Sequence, residues 1–106
     1  MEADVLVVLV TAPAGEVAAG LARSLVEERL AACVNRVPAV SSTYRWEGKV
    51  CVEEEDLLIV KTTPGRFAEL EERLRTLHPY EVPEILALPV GGGSRSYLDW
   101  VRESCE

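Results

Sequence analysis

His78 is the only histidine in the chain. An imidazole changes charge near neutral pH and is a common metal ligand. His78 stands where a helical pattern ends, so it reads either as a ligand or as a helix-end residue suited to the C-terminal dipole. Cys33, Cys51 and Cys105 supply three thiols. Cys33 lies in an apolar segment and reads either as a soft ligand or as a small core residue. Cys51, near a polar tip, and Cys105, near the terminus, are read as incidental. Glu53-Glu54-Glu55-Asp56 is a dense acidic run. On a strand, Glu53 and Glu55 share one face, and Glu54 and Asp56 the other. Such pairs attract hard cations, and a solvated edge that resists aggregation is the plainer reading. Tyr44, Trp46, Tyr80 and Trp100 hold most of the aromatic surface, and Lys61 and Glu84 are charges beside apolar strand residues. Two arrangements suit this set. In one, the rings stack a ligand, Lys61 holds an anion and Glu84 accepts a donor. In the other, the rings pack an interface and Lys61 pairs with Glu84.

Other chemistries find no footing. A nucleophilic Ser or Cys needs a base within reach, and no Gly-x-Ser-x-Gly elbow occurs. No Gly-x4-Gly-Lys-Ser/Thr phosphate loop occurs either. Gly91-Gly92-Gly93-Ser94 precedes a helix and reads as a flexible connector before an anion site. No two cysteines are closer than eighteen residues, so there is no Cys-x-x-Cys pair for Cu(I). The expectation is a protein that is not an enzyme and carries no organic cofactor.

Charge and length narrow the partners. The chain has 106 residues, read as one domain over 1–106. Eleven Lys and Arg against eighteen Asp and Glu give a net charge of −7, which argues against nucleic acid as a partner. The longest apolar run, Val5 to Val10, is far short of the ~20 residues that span a bilayer. Met1-Glu2-Ala3-Asp4 carries acids where a secretory signal carries bases. An odd, dispersed set of cysteines fits a reducing compartment. The expected location is cytoplasmic.

These residues need elements to position them. Asp4 to Val10 reads as a strand buried on both faces. Glu16 to Leu30 carries Val17, Leu21, Leu25 and Ala18, Ala22, Val26 at helical spacing. Ala31 to Trp46 is extended, with Pro38 marking an edge or a bulge. Glu47-Gly48 signals a hairpin turn, and Lys49 to Thr63 returns as a second long strand. Thr63 and Pro64 open a helix that carries Phe67, Leu70, Leu74 and Leu77 and ends at His78-Pro79. Glu84 to Val90 reads as a short strand. Ser94 opens a last helix with Tyr97, Leu98, Val101 and Cys105 inward. The order is β-α-β-β-α-β-α. It predicts an α+β, ferredoxin-like β-α-β-β-α-β sandwich with an antiparallel sheet, a long hairpin between the second and third strands, and an extra C-terminal helix.

That fold leaves one sheet face open. Strands that face water alternate apolar and polar residues. Val5 to Val10 and Leu57 to Val60 do not. A second surface must cover them: the spare helix, Ser94 to Cys105, is expected to cover part and a symmetric homo-oligomer the rest, with the long hairpin, Ala31 to Thr63, able to pair edges with a neighbour.

Five blocks carry a family resemblance: Leu30-Ala31-Ala32-Cys33-Val34-Asn35, Ser42-Thr43-Tyr44-Arg45-Trp46-Glu47-Gly48, Lys61-Thr62-Thr63, His78-Pro79-Tyr80-Glu81-Val82-Pro83-Glu84-Ile85 and Tyr97-Leu98-Asp99-Trp100. In this order and spacing the chain resembles the CutA divalent-cation-tolerance family over nearly its whole length. The resemblance implies a homotrimer whose sheets join through the long hairpin. It implies a role in tolerance of copper and other divalent cations, with Cu²⁺ bound in some members. It also invites comparison with PII-type signalling trimers, which bind small ligands in clefts between subunits. Members with a copper site use a cysteine at the end of the first strand and two adjacent histidines before Pro-Tyr. Those positions here read Val10, Leu77 and His78, so His78 is the remaining ligand, with Glu81 and Glu84 as candidate oxygen donors.

Overall fold

The computed structural model describes residues 4–106; of the N-terminal stretch Met1-Glu2-Ala3-Asp4, the first three residues lie outside them. Its elements run β1 (Leu6–Pro13), α1 (Glu16–Glu27), β2 (Cys33–Trp46), β3 (Lys49–Thr62), α2 (Pro64–Leu77), β4 (Leu86–Pro89) and α3 (Arg95–Ser104). All strand pairs are antiparallel, and the sheet order is β2-β3-β1-β4. This is the ferredoxin-like arrangement with a third helix appended.

Several boundaries differ from those expected, each for a local reason. β1 runs on through Thr11-Ala12-Pro13, because Ala12 pairs with Asp56 and Pro13 with Glu55. Proline is tolerated at this last position, where the ladder ends. α1 stops at Glu27 because Arg29 turns left-handed, with φ 59°. The Leu30 N–H then bonds Leu25 C=O, and the Arg29 N–H bonds Val26 C=O, which is a Schellman ending. β4 is only Leu86–Pro89, shorter than Glu84 to Val90. Thr63 and Ser94 start their helices without a side-chain cap bond.

One face of the sheet meets α1 and α2. Val8, Val10, Ala12, Leu58 and Val60 from the strands bury against Ala18, Leu21, Leu25, Leu70 and Leu74. Val17 and Val26, expected in that stripe, are exposed, and so is Leu77. The two helices cover the sheet with a narrower stripe than the apolar pattern offers. α3 closes one end of the sheet, where Val101 and Cys105 bury against Val5 and Ala32. Cys105 is therefore a core residue rather than part of a loose terminus, and burial pushes its thiol pKa up. Tyr97, expected inward, is exposed.

Among the described residues, no element covers the opposite sheet face. Leu57, Ile59, Val7 and Leu9 are half-buried there, and Leu86, Leu88 and Val37 are exposed. The hairpin extends well past the sheet. β2 and β3 have 14 residues each, and β1 ends opposite Glu55. Its turn, Glu47-Gly48, has positive φ at both residues, as a two-residue I′ turn requires.

Candidate functional site

Asp56 organises the base of the hairpin arm. The register shifts between Val37 and Val40, so Pro38 and Ala39 form the bulge that Pro38 foretold. Ala39 is left-handed, with φ 60°, and aims its N–H at Asp56 Oδ1 at 3.2 Å. Arg36 Nη1 donates to Asp56 Oδ2 at 2.8 Å, and the Gly15 N–H donates to the same oxygen at 3.0 Å. Gly15 holds φ 86°, a conformation costly for any residue with a Cβ. The Gly15 bond first, then Arg36, hold the Asp56 carboxyl below its ordinary pKa, against the opposing effect of burial. Glu55 and Asp56, read from sequence as part of a solvated edge, are both buried. The parity of β3 carried the signal: Asp56 shares its face with Leu58 and Val60.

The loop after α2 builds a second cluster. His78 is buried, its Nε2 lies 2.8 Å from Thr11 O, and its Nδ1 accepts the Tyr80 N–H at 3.1 Å. A carbonyl accepts only, so Nε2 carries the proton and both ring nitrogens are engaged. The His78 and Tyr80 rings lie 4.7 Å apart. Tyr80 OH donates to Glu55 Oε1 at 2.7 Å. Burial first, then that bond, raise the Tyr80 pKa well above the ordinary tyrosine value. Glu84 lies near Glu55, and its pKa is raised by crowding first and by the Glu55 charge second. Glu81 is exposed on the same loop. Out on the arm, Tyr44 OH donates to Glu53 Oε1 at 2.5 Å, which lifts the Tyr44 pKa to about 12.

Lys61 and Cys33 lie at the other end of the open face, paired across β2 and β3. Lys61 Nζ donates to Asn35 Oδ1, and Cys33 Sγ lies 4.0 Å from the same oxygen. Tyr97 of α3 neighbours Cys33; burial first, then Cys33, raise its pKa. Tyr97 also packs on Trp100 at 5.6 Å between ring centres.

The candidate residues thus form three groups. Tyr80, Glu84 and His78 gather around Glu55. Tyr44 and Trp46 lie on the arm. Lys61, Cys33 and Trp100 lie at the α3 end. Lys61 and Glu55 are six residues apart on β3, or about 20 Å. Lys61, Tyr80 and Trp100 therefore do not converge within one subunit, and Lys61 does not pair with Glu84. Among the described residues, no three His, Cys, Asp or Glu side chains are placed together to hold a metal ion. A cation would have to displace one of the two bonds at His78 to use that ring. The described residues of a single subunit do not make a coordination set.

A family model described as CutA1 divalent ion tolerance protein matches residues 6–104. A divalent-cation tolerance protein CutA of Thermus thermophilus is 59% identical over 98 residues, covering 92% of this chain and 95% of the relative. A solved structure of the Thermus thermophilus divalent cation tolerance protein superposes with a TM-score of 0.94 at 57% identity, covering 96% of this chain and 99% of that one. The crystal structure of CutA1 from Oryza sativa gives a TM-score of 0.94 at 45% identity, covering 99% and 96%.

Proposed function

The chain belongs to the CutA1 divalent ion tolerance family, and from that premise we propose that it acts as a homotrimer that binds divalent cations, Cu²⁺ foremost, without catalysing a reaction. The observation that carries this reading is the uncovered sheet face. Leu86 is 56% exposed and Leu88 48%, beside half-buried Val7, Leu9, Leu57 and Ile59. A contiguous apolar surface of this kind is a contact surface in a soluble protein. A ring of three copies covers three such faces with one closed set of contacts. The donors support the same reading. Glu84 lies near Glu55 while Cys33 lies at the far end of the face, and no three ligating side chains come together among the described residues, so a coordination set would draw donors from neighbouring subunits. The sole histidine spends both nitrogens on backbone groups, which leaves it no free nitrogen to act as a general base. Three free thiols fit the reducing cytoplasm.

The test is calorimetric titration of CuCl₂ into the intact protein, with ZnSO₄ as comparison and the mass in solution measured by light scattering. The expected result is a trimer that takes up Cu²⁺ with a fixed stoichiometry per three chains. His78→Ala distinguishes the donors: unchanged uptake assigns the site to carboxylates and thiols, and lost uptake in a folded variant assigns it to His78. A monomer, or copper uptake no greater than that of the free amino terminus, overturns the reading.

A further inference from the structure

Among the described residues, Lys61 on the open sheet face and Glu84 just before β4 find no opposite charge in their own subunit. The ion pairs among the described residues are made by Arg23, Arg36, Arg66, Arg73 and Arg102, and none includes Lys61 or Glu84. Lys61 is half-buried, with only the neutral Asn35 amide as partner. Glu53 is served by Tyr44 and Glu55 by Tyr80, whereas no donor among the described residues reaches the Glu84 carboxyl. Glu84 instead sits near a second carboxylate, Glu55. The cation and the anion mark opposite ends of one face, with Leu57 and Ile59 between them, and the length of β3 keeps them apart.

A cyclic assembly resolves that separation, because each copy meets one neighbour with one end of its patch and the other neighbour with the opposite end. We propose that Lys61 of each subunit pairs with Glu84 of the next copy around the ring, at the rim of the covered apolar face. The inference rests on the homotrimer reading and adds to it the pair that sets subunit order and direction. Complementary charge at the two ends is satisfied by head-to-tail closure of a ring; a two-fold dimer with antiparallel faces would satisfy it too, and the mass in solution separates the two.

The experiment is a charge swap read by sedimentation velocity and light scattering over a range of protein concentration at low salt. K61E and E84K should each raise the midpoint concentration for assembly by about 100-fold or more, since each leaves a like-charge contact in a desolvated rim. The double variant K61E/E84K should return to within about tenfold of the wild type. K61E/E81K is the control and should not recover. Far-UV circular dichroism checks folding, and the neutral pair K61M and E84Q replaces any variant that does not fold. Single variants that assemble like the wild type overturn the pairing, and so does a double variant no better than the two singles combined. Recovery by K61E/E81K overturns the assignment to Glu84. A wild type that is not a trimer removes both the pairing and the reading it rests on. A wild-type trimer with no coupling between the two sites removes the pairing alone.

Discussion

The Tyr80 hydroxyl donates to Glu55 Oε1 at 2.7 Å and ties the loop after α2 to the middle of β3. Glu55 is 5% exposed, so this phenol is the donor that makes burial of the carboxylate tolerable. Tyr80→Phe keeps the ring and removes the donor. It should lower unfolding free energy by about 1–3 kcal/mol, read as a shift in the urea midpoint at unchanged slope. A variant as stable as the parent would mean that water serves Glu55 equally well.

The tyrosines should ionise late. Tyr44, Tyr80 and Tyr97 are all raised above the ordinary value, Tyr44 to about 12. A group whose folded pKa is raised contributes stability below its unfolded pKa, about 10, and loses it as pH climbs through the folded value. Absorbance at 295 nm should therefore show no tyrosine titrating near pH 10 while the protein is folded. A step of one tyrosine there would show that one of these contacts does not persist in solution.

Asp56 works in the opposite direction on the pH scale. Its folded pKa is lowered, so its contribution is present above the unfolded value of about 4 and disappears as pH falls through the folded value. Asp56→Asn should destabilise the protein at pH 7 and flatten the loss of stability on acidification. Denaturant midpoints of both proteins at neutral and acid pH check this. Parallel curves for parent and variant would rule it out.

The neutral His78 ring should carry its proton on Nε2. The imidazole ¹⁵N shifts report this directly, with Nδ1 as the bare nitrogen. The reverse tautomer would free Nδ1–H and contradict the Tyr80 contact.

Packing and surface pairs should separate cleanly. Leu58 is fully buried between the sheet and its helices, and Leu58→Ala should cost about 2–5 kcal/mol. The Arg73–Glu28 pair, at 2.9 Å and 39% exposed on both sides, should contribute no more than about 1 kcal/mol. Thermal or urea unfolding of Leu58→Ala and Arg73→Ala measures both.

The element order and the bulge were legible because their signals are local. Pro64, Leu70 and Leu74 mark α2 by themselves, Glu47-Gly48 marks the turn, and Pro38 marks the break in pairing. The ends of β1 and β4 were not, because strand length is set by a partner that lies far away in sequence. The same holds for Asp56. Four acids in a row look like a solvated face, and only the donors from residues 15, 36 and 39 reverse that reading. The separation of Lys61 from Tyr80 and Glu84 follows from the length of β3.

The three donors of Asp56 also bear on how the chain folds. They come from the N-cap of α1, from β2 and from its bulge, and each lies at least 17 residues from Asp56. Asp56 cannot shed its water gainfully until all three segments have arrived. A half-formed sheet would hold a buried carboxylate with too few partners, so partial structures that include the arm's base gain little from it. The contact thus belongs to the late side of the folding barrier. Its loss should speed unfolding far more than it slows folding.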